Sequence, residues 1–235
     1  MKSPHNSRLV SMACASFLFS LAANPAKAAL VLTLDDLSTV GIDRILSDDQ
    51  LAGYLTSVGA TTTVDSYSGI GYLTYIGSVG HFNVNVTTGV SKPVIGPGIL
   101  DLNSINVSGG AGALRIGLTD TGFTGYYPSY QARFGGTSSG SVNLNFLYDA
   151  LNSEFGGNSF FNPTAVTGAF SNFGAGAVTA SSPYSLTIFA DIVHTAAGQL
   201  TSFDAEVAPV PLPATIWLIG SGIAGLAFTT RRKTV

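Results

Sequence analysis

The sequence predicts an all-β protein. Residues 29–208 are expected to form an antiparallel β-sandwich, jelly-roll-like, between an N-terminal signal peptide and a C-terminal single transmembrane helix. Three observations predict the sandwich. Apolar and polar residues alternate with a period of two through much of the middle segment. Gly-rich turns separate these runs at short intervals. Helical periodicity is weak, and Asp43 to Thr56 and Phe146 to Phe155 are the only windows with plausible helix formers.

Each run defines an element, because side chains two apart on a strand share a face. Phe82, Val84 and Val86 alternate with Asn83, Asn85 and Thr87. Leu114, Ile116 and Leu118 alternate with Arg115, Gly117 and Thr119, and Val142, Leu144 and Phe146 with Asn143 and Asn145. Leu186, Ile188, Ala190 and Ile192 form a fourth run, whose other face is also partly apolar, so that strand is expected to be covered on both sides. Further strands are expected at Ala29–Leu34, Gly71–Ser78, Ile99–Val107 and Thr201–Val207. In Ile99–Val107 the apolar phase slips between Leu102 and Ile105, which calls for a bulge near Ser104. Turns are expected at Val94–Gly98, Gly109–Gly112 and Gly135–Gly140, and Asn158 to Pro183 reads as a long loop with one extra strand at most.

Only 10% of the 235 residues are charged, against ~25% in ordinary soluble proteins. Between Ala29 and Ala208 four basic residues face all 13 acids of the chain. A nucleic-acid partner needs a basic footprint, so that class is excluded. The N-terminus carries Lys2 and Arg8, then an apolar run from Leu9 to Ala23, then Ala26-Lys27-Ala28. This is the pattern of a secretory signal peptide, residues 1–28, with small residues Ala26 and Ala28 at the cut. Cys14 is the only cysteine and lies in that leader, so the exported chain has no disulfide, no thiol nucleophile and no Cys-based metal site.

The C-terminus has three parts. Pro209, Pro211 and Pro213 fall in residues 209–213, where alternate prolines disfavour helix and sheet interior alike. Residues 214–230 carry no charge; as a helix they would span ~25 Å, near the lower limit for crossing a ~30 Å hydrocarbon core. Trp217 suits the outer interface, and Arg231, Arg232 and Lys233, in residues 231–235, are expected to stay in the cytoplasm.

The order Val210-Pro211-Leu212-Pro213-Ala214, Trp217, Gly220-Ser221-Gly222, Gly225-Leu226 and Arg231-Arg232-Lys233 resembles the PEP-CTERM sorting signal in its VPLPA variant. That resemblance covers about 26 residues at the C-terminus. It implies a Gram-negative setting and an exosortase-type membrane protease as partner. Such an enzyme cuts near the Pro motif, so that an inner-membrane-anchored precursor becomes a cell-surface or extracellular protein. The resemblance also implies association with exopolysaccharide and biofilm. Leu212 stands where the usual motif has Glu, which bears on the exosortase subtype.

Other constellations are weaker. Gly220 to Gly225 matches GxGxxG but lies in the apolar tail, away from any βαβ unit. Gly136-Thr137-Ser138-Ser139-Gly140 matches GxSxG, yet reads as a Gly/Ser turn rather than a nucleophile elbow. His81 and His194 belong to no zinc-binding pair. Asp35, Asp36, Asp48 and Asp49 are candidate calcium ligands, although Asp favours turns for its own hydrogen bonding. Asp204 and Glu206 share a strand face, with solvated surface the simpler reading. Tyr126, Tyr127 and Tyr130, with Phe160 and Phe161, are candidate ligand-binding aromatics in expected loops.

The expected role is therefore non-enzymatic, with no cofactor required: an exported surface or matrix protein of structural or interaction type. A carbohydrate-binding module or adhesin, with extracellular polysaccharide as partner, is the alternative. A secreted hydrolase comes last, since no catalytic set supports it.

Overall fold

The structure, a computed structural model, describes residues 30–48, 61–62, 69–211, 218–219 and 221–223. Twelve strands follow one another among them: β1 Val31–Asp36, β2 Arg44–Ser47, β3 Thr61–Thr62, β4 Tyr72–Val79, β5 Phe82–Val90, β6 Leu100–Gly109, β7 Gly112–Phe123, β8 Ser129–Asp149, β9 Asn158–Phe161, β10 Val166–Ala177, β11 Tyr184–His194 and β12 Thr201–Pro209. All pair antiparallel except β2 with β3.

The hydrogen-bonded ladder is continuous and runs β3-β2-β1-β7-β11-β8-β12-β6-β5-β4, with β9 and β10 also on β8. It nevertheless forms a sandwich, because β8 serves two arms. Its first half pairs with β12 and β10, through Tyr130↔Pro209 and Tyr130↔Gly176. Its second half pairs with β11 and β9, through Phe146↔Ile188 and Phe146↔Phe161. Rings from the two halves meet across the interior: Phe134 lies 6.1 Å from Phe146 and Tyr130 lies 5.7 Å from Tyr148, centroid to centroid. The strand therefore folds back at Ser139-Gly140, and its halves face each other. Elsewhere the arms are just as close, since a Cβ added at Gly89 of β5 would stand 2.8 Å from Leu118 of β7.

The alternating residues fill this interior. Leu114, Ile116 and Leu118, Val142, Leu144 and Phe146, and Leu186, Ile188, Ala190 and Ile192 are all fully buried in one cluster. Burying each such side chain contributes ~1.5–3 kcal/mol, which is how a chain without cysteine in its body holds together. The second face of β11 is covered over its first half, while Val193 near its end is exposed. Ser185 and Thr187 are buried, and Phe155 packs on Phe189 at 5.8 Å. The bulge is present too. Between β6 and β12 the register shifts at Asp204, and Ser104 opposite it takes φ +54°.

Three expectations are corrected. Gly135–Gly140 does not separate two strands; it lies inside β8, where Gly135–Ser138 have ladder partners in both β10 and β12 and only Ser139-Gly140 make the fold-back. Asn158–Pro183 contains two strands, β9 and β10, both paired to β8, and β10 lies close on β9: a Cβ at Gly174 would collide with the Phe161 ring. The two helical windows fail where they are described, with Arg44–Ser47 in β2 and Phe146–Asp149 in β8. Sheet partners override weak local propensity there.

Candidate functional site

The outer face of the arm β4-β5-β6-β12-β8-β10 is polar. It arises from the same period of two that fills the core, read on the opposite phase. β6 contributes Asp101 and Asn103, β12 Asp204 and Glu206, β8 Gln131 and Arg133, and β10 Ser171 and Phe173. These residues line a groove of about 690 Å³. Glu206 lies opposite Asp101 on one side and Arg133 on the other, and Arg133 lies opposite Phe173. Gly135 sits opposite both Asp204 and Ser171, so no side chain fills the floor at that point. The Phe173 ring stands 74% exposed.

The bulge shapes this site. By inserting one residue, Ser104, it keeps Asp101 and Asn103 on the outer face while Leu102 and Ile105 both remain inside. The Ser104 amide donates to Asp204 Oδ1 at 2.5 Å, and Asn103 Nδ2 donates to Asp101 Oδ2 at 3.5 Å. Burial against its neighbours pushes the Asp101 carboxyl up to about 6; the Asn103 bond works against this, and the charges of Glu206 and Asp204 add to it. Further along the same strands a second groove of about 530 Å³ continues past Asn85, Asn106, Ser108, Thr137 and Ser202. The face thus carries two grooves along the same strands, one acidic and the other lined by amides and hydroxyls together with the exposed Ile76 and Leu200.

The expected aromatic platform is not assembled. Tyr130 is buried at the centre of a ring cluster, with its hydroxyl 2.5 Å from that of Tyr184 and its ring edge-on to Tyr127 at 6.0 Å. Burial first, and the Tyr184 bond next, push the Tyr130 phenol far above its usual range. Phe160 and Phe161 pack on the core from outside. Tyr126 alone is exposed, at 78%. The groove aromatic is Phe173 instead, which the sequence does not single out because its exposure follows from the pairing of β10 with β8, opposite Arg133.

The calcium candidates do not gather. Asp36 lies at one end of the β1–β2 hairpin and Asp48 at the other, and Asp49 lies outside the described residues. Burial alone would raise the Asp36 pKa. Hydrogen bonds outweigh it: Ser38 N at 3.0 Å, Ser38 Oγ at 2.6 Å, His81 N at 2.9 Å and His81 Nδ1 at 2.8 Å hold the carboxyl well below the usual range. Asp48 Oδ2 accepts from Gly71 N at 2.6 Å. Asp35 is raised by burial and by Asp43. Among the described residues no group of three or more His, Cys, Asp or Glu is placed to hold a metal ion.

The GxSxG serine is a structural residue. Ser138 Oγ lies 2.7 Å from Thr201 Oγ1, which lies 2.9 Å from His194 Nε2, and all three are buried where β8 folds back. Burial lowers the His194 pKa and keeps the ring neutral. Asp191, the acid nearest in sequence, is held by Arg115 at 2.6 and 2.8 Å.

Of the tail, Val210 and Pro211 are described. β12 runs through Pro209, and Val210 N donates to Ser129 O at 3.1 Å. Leu212, Pro213, Ala214, Arg231, Arg232 and Lys233 lie outside the described residues, as do Ala26 and Ala28. Residues 218–219 and 221–223 are helical and exposed, and Ser221 Oγ donates to Leu218 O at 3.0 Å. No helix among the described residues is long and apolar enough to cross a membrane.

The fold and tail together define an all-β body that ends directly in a sorting segment. Residues 209–233 match the PEP-CTERM protein-sorting motif. The chain carries that motif, and proteins that carry it are exported, processed by exosortase and sorted to the cell surface. No curated protein matches the chain. Among solved structures, TmCBM61 in complex with beta-1,4-galactotriose has TM-score 0.32 and 12% identity, over 48% of this chain and 83% of its own. The carbohydrate binding module CBM6cm-2 from Cellvibrio mixtus lichenase 5A, in complex with cellotriose, has TM-score 0.30 and 11% identity, over 63% and 92%. The enzymatically active domain of bacteriophage CBA120 tailspike protein 4 has TM-score 0.31 and 15% identity, over 57% and 20%. At these scores the likenesses carry no weight for any ligand of this chain.

Proposed function

We propose that this protein is a surface or matrix protein whose sandwich binds a neutral extracellular polysaccharide along the grooves on its outer face, with no catalytic role. The grooves themselves carry the reading. Carboxylates, amides and hydroxyls in alternating rows match the hydroxyls of a sugar chain, and the exposed Phe173 ring offers a stacking surface. Three acids against one arginine in the acidic groove disfavour an anionic polymer. Asp101 and Glu206 stand side by side on an open face rather than across a cleft, an arrangement unlike the paired carboxylates of glycoside hydrolysis.

The tail gives the address. In this reading Val210-Pro211-Leu212-Pro213-Ala214 is a VPLPA variant of the motif. An inner-membrane-anchored precursor, held by residues 214–230, is cut by exosortase near these prolines and becomes a surface or extracellular product. Intact mass of the protein from its native host, with and without exosortase, reads both cut sites.

Affinity electrophoresis of the processed protein against neutral and uronate-rich polysaccharides tests the binding reading. A neutral polymer is expected to retard it, and Phe173→Ala or Glu206→Ala should each weaken retention about tenfold, equivalent to ~1.4 kcal/mol. A protein that binds no glycan, or whose glycan binding ignores both substitutions, would sink it.

A further inference from the structure

We propose that the end of the sandwich from which the sorting segment leaves rests on the lipid bilayer in the unprocessed precursor, with Ile70, Val94, Tyr126 and Leu151 at the headgroup level. The inference relies on the reading that residues 214–230 enter a membrane. It starts from where the folded body stops. The last backbone bond of the sheet is Val210 N to Ser129 O, at 3.1 Å. Ala214, the first residue of the uncharged stretch, follows four positions later. Whatever their conformation, four residues reach at most ~14 Å. The interfacial layer on each side of the hydrocarbon core takes up roughly 5–7 Å of that. The body has almost no clearance, and the end beside Val210 must face the lipid.

The same end gathers several loops. Gly98 lies against Pro209 and the hydroxyls of Tyr130 and Tyr184. Val178 N donates to Pro128 O, Ser91 N to Gly71 O, and Asp48 N to Leu30 O. The start of β1, next to the expected leader cut, is therefore here as well, so both membrane-directed segments leave from one side.

The surface chemistry fits an interface. Ile70, Tyr126 and Leu151 are 71%, 78% and 86% exposed. Tyrosine favours the headgroup layer, where an apolar ring and a polar tip are both satisfied. The ionisable groups of these loops turn inward. Asp48 accepts from Gly71 N, Lys92 Nζ binds Asp120 at 2.7 Å, Asp149 accepts from Leu151 N and Ser153 N, and Glu154 is half-buried. No charged side chain described in these loops is exposed. At the opposite end His81 is exposed, and so are Val40 and Leu200, so it is the exit of the chain beside Val210 that selects the lipid-facing end.

Because the exported chain lacks cysteine, single labels can test this. The full chain in a Cys14→Ser background is placed in phosphatidylethanolamine–phosphatidylglycerol vesicles. It carries Tyr126→Cys or Leu151→Cys at one end, Ala111→Cys or Ala196→Cys at the other, or Ile219→Cys in the tail. Each site bears an environment-sensitive dye and meets headgroup spin-labelled lipid. Quenching at 126 and 151 is expected to exceed that at 111 and 196 several-fold, with 219 also shielded from water. Equal, weak quenching at all four loop sites with 219 shielded would overturn the proposal while leaving the tail in the membrane. A water-exposed label at 219 would overturn the membrane reading of the tail, and the proposal with it.

Discussion

Asp101 holds its proton to a higher pH than a carboxylate in water, and the reason is local. Burial disfavours its charge, and Glu206 and Asp204 add like charge on the same face. A group raised from 3.8 to about 6 on folding binds protons more tightly in the native state. Its contribution to stability is present below about pH 4 and is lost as pH rises through 6. The site is partly open to solvent, so the cost is discounted to ~1 kcal/mol. Asp101→Asn should therefore raise the urea midpoint at pH 7 and remove part of the decline between pH 4 and 6. Asp36 acts in the opposite sense: its depressed pKa adds stability above about pH 4 that is lost in acid. A denaturation series from pH 3 to 8 reads both limbs.

Within β8, two adjacent glycines have different jobs. A Cβ at Gly136 would collide with Ser202 O and lie 2.7 Å from Phe203 Cα, which is backbone and cannot step aside. Gly136→Ala is expected to cost ~3 kcal/mol or prevent folding. A Cβ at Gly135 meets nothing closer than Phe170 O at 3.4 Å. Gly135→Ala should fold with stability within ~1 kcal/mol of the parent, yet weaken glycan binding by filling the groove floor. Loss of binding in a destabilised Gly135→Ala would remove the distinction, and circular dichroism melts beside affinity gels would show it. Sequence reading took this stretch for a turn because Gly and Ser clusters usually mark one. Here Gly135–Ser138 are strand squeezed between two neighbours and only Ser139-Gly140 mark the fold-back, a cause that lies in residues some 35 and 70 positions away by register. Ser104 is the contrasting case: the slip in apolar phase lies in adjacent residues, so the bulge was legible.

For the whole molecule, the decisive element is β12. It lies between β6 and β8, and it leads straight into the sorting segment. A stop codon after Pro211 should leave the sandwich folded, whereas a stop before Thr201 should leave it unfolded. Amide exchange on both products checks this. By itself the sequence determined the class of fold, the cysteine-free body and the sorting tail. Each depends on neighbours in the chain: alternation, charge flanks, the order of prolines and arginines. It also marked Asp204 and Glu206 as sharing a face. Only the tertiary structure decided that Asp101, Arg133, Phe173 and Glu206 line one groove, that Tyr130 is buried rather than displayed, and that Asp36 and Asp48 bind backbone amides at opposite ends of the β1–β2 hairpin. Those outcomes depend on which strands pair and in what register, and a one-residue slip would have turned every one of these side chains to the other face.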